Sequence, residues 1–281
     1  MTAKRFGVGL IVVVAALSAT RTYAANEPFA VYESWADRTT VRADRWFGGS
    51  DAGLERRREV QDDQLILRLR RAGGTASDVG ATGFFSNRLN FVRPLTVDAV
   101  EAEFRVRRLE LSGCAANSTP SLTRAVAIDL NRINDQDPAA PRVPGSVAGD
   151  HLGRVEVFRA SNSTARDDVL TVRGLVFRCN DAGCTSSTVI TQAILGEVTR
   201  GTSFRLRLVW DRAAHRFLAG LNRDADVPLV YDADVHRRDP NAPSATIRIQ
   251  HLPANCTAGP TVTDAETEVR EVLTNASAIV P

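Results

Sequence analysis

Apolar and charged residues alternate along much of this chain at a period of two, the signature of strands that bury one face. The clearest stretch runs from Phe204 to Asn222. Phe204, Leu206, Leu208 and Trp210 share one parity, and Arg205 and Arg207 share the other. Asp211 to His215 is a short polar break, after which Phe217, Ala219 and Leu221 resume the alternation, so the segment predicts a β-hairpin. A lone hairpin is marginal in water, so further strands must cover its apolar face.

Val97 to Leu111 carries the longest clean pattern. Val100, Ala102, Phe104 and Val106 lie on one face, with Glu101, Glu103, Arg105 and Arg107 on the other. Leu109 and Leu111 then fall on the wrong parity, which predicts a bulge or strand end near Arg107-Arg108. Glu55 to Gln61 and Gln64 to Arg71 flank Asp62-Asp63 and predict a second hairpin. Shorter strands are expected at Phe29–Trp35, Phe84–Phe85, Leu89–Val92, Ala125–Leu130, Arg154–Phe158, Val169–Arg178, Val189–Leu195, Pro228–Tyr231, Thr246–Leu252 and Glu268–Leu273. Arg45 to Gly49 reads as a turn carrying two aromatics. Between these elements lie loops of Gly, Pro, Asn, Asp and Ser, and no long stretch has a helical period. The pattern is that of an all-β antiparallel sandwich or barrel.

The N-terminus follows a different rule. Lys4 and Arg5 precede an apolar run from Phe6 to Leu17, and Thr22-Tyr23-Ala24 offers small residues at a cleavage site. This is the layout of a secretory signal peptide over residues 1–24, leaving residues 25–281 as one β-sandwich domain. The run is too short for a membrane anchor, which needs about 20 residues. Residues 1–24 hold three of the 35 basic residues and none of the 33 acids, so the net charge of +2 becomes about −1 on their removal. No electrostatic footprint for nucleic acid remains, and no other stretch could span a membrane. The expected location is secreted, periplasmic or extracellular.

Three stretches carry a resemblance: Arg45-Trp46-Phe47-Gly48-Gly49, Asp62-Asp63-Gln64-Leu65-Ile66-Leu67, and Ser203-Phe204-Arg205-Leu206-Arg207-Leu208-Val209-Trp210-Asp211. Together they resemble the concanavalin A-like lectin/glucanase superfamily. Glu268-Val269-Arg270-Glu271-Val272 is similar to that superfamily's last strand, which pairs back beside the N-terminus. The resemblance implies a jelly-roll of two large antiparallel sheets, one of them concave. It implies no particular activity, because the fold hosts lectins, glycosidases, lyases and adhesive modules.

Four cysteines in an exported chain suggest two disulfides. Cys179 and Cys184 flank what reads as a hairpin tip, which leaves Cys114 with Cys256. Their spacing does not suit zinc.

Few motifs point to catalysis. Glucanases of the resembled superfamily carry Glu-x-Asp-x-x-Glu on a mid-chain strand, where retaining hydrolysis needs two carboxyls about 5–5.5 Å apart. Glu266-Thr-Glu268-Val-Arg-Glu271 comes near it, with Glu for Asp and on the last strand, where it aligns better as structure. His151, His215, His236 and His251 are scattered, and no nucleophile elbow is present. Asp129, Asn131, Asn134, Asp135 and Asp137 cluster after a strand; of these, Asp129, Asn131, Asp135 and Asp137 are the candidate ligands should calcium bind, and no other cofactor is implied. Asn117, Asn162, Asn255 and Asn275 open glycosylation sequons that also suit turns.

The candidate ligand-binding residues are Arg105, Arg107, Arg205 and Arg207, whose guanidiniums could meet sugar hydroxyls or acidic glycans, and Trp46 as a stacking platform. Pairing of the same arginines with Glu101 and Glu103 across a solvated face is the alternative. The expected function is a secreted, non-catalytic module that binds oligo- or polysaccharide or sits at the cell surface. A glycoside hydrolase or polysaccharide lyase is the first alternative, and a structural or adhesive domain the second.

Overall fold

A computed structural model of the chain describes residues 28–50, 55–72, 84–112, 120–253 and 262–279. The proposed leader, its cleavage site, and Cys114 and Cys256 lie outside the described residues. Fifteen strands among the described residues form two antiparallel sheets. The eight-stranded sheet has the order β13 (Val227–Val230), β12 (Arg216–Leu221), β11 (Ser203–Asp211), β6 (Ala99–Ser112), β15 (Val262–Asn275), β4 (Gln64–Ala72) and β3 (Glu55–Gln61). Its remaining strand, β1 (Phe29–Glu33), pairs with β15, so the first and last strands meet. The seven-stranded sheet has the order β10 (Ser187–Thr199), β9 (Val169–Cys179), β8 (Asp150–Ala160), β7 (Leu122–Asn134), β14 (Ser244–Leu252), β5 (Phe85–Phe91) and β2 (Trp46–Ser50).

The strongest sequence patterns became the elements they predict. Trp210 pairs with Phe217 and Asp211 with Arg216 in the β11–β12 hairpin. Asp62 and Asp63 close the β3–β4 hairpin with φ of 52° and 57°, the two left-handed residues of a type I′ turn. The parity break in β6 is a bulge. Thr267 pairs with Val106 and Glu266 with Arg108, so Arg107 has no opposite residue and both Val106 and Leu109 point inward.

Other segments differ from expectation. The stretch Arg45 to Gly49, read as a turn, lies largely in edge strand β2, Trp46–Ser50. The two short strands expected around Phe84 and Leu89 are one strand, β5, whose polar interior hides it from a hydrophobic reading. Asn87 accounts for part of that: its buried Nδ2 donates to the carbonyls of Arg57 at 3.0 Å and Arg68 at 2.8 Å, tying β5 to the opposite sheet. β7 extends beyond Ala125–Leu130 at both ends, because Thr123, Arg124, Asn131 and Asn134 are buried with partners.

The inward faces meet in one large apolar cluster. Leu65, Leu67, Leu69, Val100, Phe104, Leu206 and Phe217 face Ile128, Val155, Val157, Val172, Ile247 and Ile249. Full burial of each such side chain contributes about 1.5–3 kcal/mol, and this is the main force closing the sandwich. The sheets approach closely at Gly153 of β8, where an added Cβ would stand 2.2 Å from Phe217 Cδ1. That glycine lets Phe217 pack against the β8 backbone directly behind the outward-facing Arg154.

Candidate functional site

The four arginines expected to bind ligand lie on the outer face of the eight-stranded sheet, and carboxylates hold them there. Arg205 meets Glu101 at 3.3 Å and both Glu103 and Glu271 at 3.0 Å. Arg207 is buried, donating to Glu101 at 3.1 Å and to Asp226 at 2.9 Å. Arg105 and Arg107 reach Glu268 at 2.9 and 3.3 Å. The near-motif carboxylates Glu266, Glu268 and Glu271 are thus partners of arginines: Glu266 lies 3.9 Å from Arg68 and 3.8 Å from Arg107. Cross-strand pairing of opposite charges has organised this face.

Trp46 is not a platform. The parity of β2 turns it inward, 2% exposed, against Phe91 and Tyr32 at centroid distances of 4.4 and 5.1 Å, while its neighbour Phe47 faces out.

The four calcium candidates are drawn to different partners. Asp129 is held by Arg154 and Arg248, and Asn131 donates to Asp150 at 2.7 Å. Asp135 accepts from Arg178 and His151, and Asp137 caps the backbone N–H of Ala139 at 2.8 Å. Among the described residues no group of three His, Cys, Asp or Glu side chains is placed to hold a metal ion.

The outer face of the seven-stranded sheet carries a different constellation. Register places Asp129 of β7 opposite Arg154 of β8, Glu156 of β8 opposite Arg173 of β9, and Arg124 of β7 opposite Gln250 of β14. Arg154 Nε donates to Asp129 Oδ1, and Arg124 Nε to Glu156 Oε2. Arg173 Nε donates to Glu156 Oε1 at 2.7 Å, and Arg154 Nη1 lies 3.5 Å from Glu156 Oε2. Arg248 Nε stands 2.6 Å from Asp129 Oδ2, yet off the N–H direction, so this is an ion pair in which neither atom gains a hydrogen bond. Four guanidiniums therefore share two carboxylates, a formal excess of two positive charges. Ala127, small and central, sits opposite both Glu156 and Arg248 and leaves room for them.

Burial sets the electrostatics. It would by itself raise the Glu156 carboxyl, but Arg124, Arg154 and Arg173 outweigh it and hold the group down at about 2. Burial pushes the Arg248 guanidinium down to about 9 and that of Arg124 to about 10, against the pull of Asp129 and Glu156. Both remain cationic at neutral pH.

Beside this cluster a pocket of about 250 Å³ opens. Arg124, Asn131, Arg154, Arg248 and Gln250 supply its polar lining. Phe84, Val147, Leu152, Phe177 and Leu252 supply its apolar walls, and the Cys179–Cys184 disulfide and Thr185 border it. Arg124 Nη1 donates to Gln250 Oε1 at 2.7 Å, which orients that amide and leaves its Nε2–H₂ for another acceptor. Arg154 also lies over the Phe177 ring at 4.6 Å.

Asp129 and Asn131 are readable as candidate ligands, though for calcium; Arg124, Arg154, Glu156, Arg173, Arg248 and Gln250 each look unremarkable in their own segments. The available signal was parity: Arg154 and Glu156, and Arg248 and Gln250, each share the outward face of a strand. Nothing in the chain order says that these strands lie side by side.

No protein-family description matches the chain, and no curated protein matches it. Similarity is found among solved structures. One is the LamAcat structure from Zobellia galactanivorans, 11% identical, TM-score 0.48, covering 86% of this chain and 95% of that one. Another is a beta-1,3-glucanase from Mycobacterium marinum, 9% identical, TM-score 0.48, covering 87% and 97%. A third is an immunostimulatory antigen and pseudo beta-1,3-glucanase of Mycobacterium tuberculosis, 10% identical, TM-score 0.45, covering 87% and 97%. The two antiparallel sheets of this chain are read from its own strand pairing, and no activity is carried over from these structures.

Proposed function

We propose that the chain is an exported, non-catalytic glycan-binding domain, and that the outer face of its seven-stranded sheet is the binding surface. The observation that carries this reading is the pocket itself: hydrogen-bond donors on its floor, apolar and aromatic walls beside them, and no free carboxylate to do acid–base work. Sugars need this mixture, because their hydroxyls call for directed polar partners while their ring faces are apolar.

A retaining or inverting hydrolase must keep one carboxyl protonated as the acid. Glu156, held at about 2 by three arginines, is ionised at any working pH. Asp129 has both oxygens against guanidiniums. Neither Tyr nor His lines the pocket among the described residues, so an eliminating base is missing there too. The Cys179–Cys184 disulfide supports export to an oxidising compartment.

A glycan array followed by a reducing-end assay tests the reading. Retention of at least one oligosaccharide class, without release of reducing ends or unsaturated products, is the expected outcome. Turnover would favour the hydrolase or lyase reading, and silence across the array would favour a structural or adhesive domain.

A further inference from the structure

We propose that this pocket selects glycans carrying an oxyanion, a uronate carboxylate or a sulfate ester, with Arg248, Arg154 and Gln250 as its donors. The inference rests on the glycan-binding reading and adds the ligand's charge.

Charge balance is the first ground. Arg124, Arg154, Arg173 and Arg248 are largely buried, yet only Asp129 and Glu156 neutralise them. Holding two uncompensated guanidiniums out of water is costly unless an anion joins them. Both carboxylates already have their two oxygens engaged, so further compensation has to come from outside the cluster.

Geometry is the second ground. Arg248 is clamped to Asp129 only by charge, its Nε lacking a hydrogen bond, and it lines the pocket. Gln250, fixed by Arg124, has its amide N–H₂ left to donate. A planar guanidinium with an adjacent amide is matched to a two-oxygen acceptor, which a hydroxyl does not offer. The pocket's volume, about 250 Å³, is near the small end for ligand sites and suits one ring-sized group instead of an extended chain. Phe177, Leu152 and Val147 then flank the ring.

The contrast with the other sheet sharpens the choice. There Arg105, Arg107, Arg205 and Arg207 meet Glu101, Glu103, Glu268, Glu271 and Asp226, so carboxylates are not short of cations or the reverse. A second concavity, of about 520 Å³ against β3, is lined by Arg56, Arg57, Arg58 and Glu59, but there Arg56 is exposed and Arg57 and Arg58 are half-buried, whereas Arg124 and Arg154 on the seven-stranded sheet are buried.

The test uses thermal shift and calorimetry on the whole exported chain with three probes: an oligogalacturonate, a sulfated disaccharide, and neutral laminaritetraose. Binding of either acidic probe is expected to weaken at least tenfold from about 50 to about 300 mM salt. The same binding should fall at least tenfold in Arg248→Gln and recover in part in Arg248→Lys. Response to one acidic probe alone identifies the oxyanion's source. Equal binding of laminaritetraose overturns the charge selectivity while sparing the glycan reading. Binding of no probe removes both. Acidic binding indifferent to salt and to Arg248→Gln overturns the site. Should Arg248→Gln fail to fold, the ranking of the three probes on the unaltered protein, with its salt dependence, still decides.

Discussion

Arg154 stands directly opposite Asp129 across the β7–β8 ladder and donates its Nε–H to Oδ1, while its Nη1 reaches towards Glu156. One guanidinium thus fills the space between the two carboxylates of the face. With Arg124, Arg173 and Arg248 around the same two carboxylates, the face carries more guanidiniums than carboxylates.

Removing a carboxylate from this cluster leaves buried guanidiniums facing one another. Glu156→Gln should cost about 3–5 kcal/mol, the range for breaking a buried ion pair from one side. Urea denaturation measures it. Glu55→Gln, whose ion pair with Arg70 is exposed, should leave the midpoint nearly unmoved. Equal midpoints for both variants would mean that water already compensates the cluster.

Asp150 gives the fold a pH dependence opposite to that of Glu156. Burial raises its carboxyl from 3.8 to about 6 despite donors from Asn134 and Asn131 at 2.6 and 2.7 Å. Its contribution to stability is therefore full below about pH 3.8 and lost as pH rises through about 6. Glu156, depressed from 4.5 to about 2, contributes fully above 4.5 and loses that contribution as pH falls through 2. Relative to the unaltered chain, Asp150→Asn should gain stability progressively between pH 4 and pH 6.5. A pH-independent difference in denaturation midpoints would contradict the assignment.

Gly153 couples the core to the site. A methyl there meets the Phe217 ring, whose position is fixed by the core, so Gly153→Ala should destabilise by about 1–3 kcal/mol as an overpacked site. Because the displaced backbone also carries Arg154, affinity for a bound acidic glycan should fall by more than in a variant of equal stability loss elsewhere. Phe217→Leu, which makes room, should restore part of both in the double mutant.

The Cys179–Cys184 bridge closes the β9–β10 connection at the pocket's edge. For a six-residue loop, chain entropy assigns it about 2 kcal/mol. Cys179→Ser with Cys184→Ser should lower stability by about that much and weaken glycan binding, with the seven-stranded sheet intact by circular dichroism. Binding unchanged in the double variant would place the ligand away from this end of the pocket.

Alternation is a local property, and the chain states it outright. Phe204 to Trp210, Leu65 to Leu69 and Val100 to Val106 each alternate because one face must leave water, so strand, hairpin and inward face were all readable. Even the bulge at Arg107 was readable, since Leu109 could reach the core only by a change of parity. Cys179 and Cys184, five residues apart, needed no knowledge of the fold. Buried polar strands were harder. β5 and the ends of β7 carry Asn87, Asn131 and Asn134, which belong inside only because backbone and side-chain partners from distant segments receive them. Which arginines find acids was beyond local reading altogether. Arg105, Arg207, Arg154 and Arg248 all occupy the outward parity of strands, and their sequences look alike. Strand order put Glu268 and Glu101 beside the first two, and it brought four guanidiniums to Asp129 and Glu156 on the other sheet. The Arg124–Gln250 bond that shapes the pocket spans 126 residues. Charge balance on a sheet depends on which strands are neighbours, and only the closing of the whole hydrophobic core determines that.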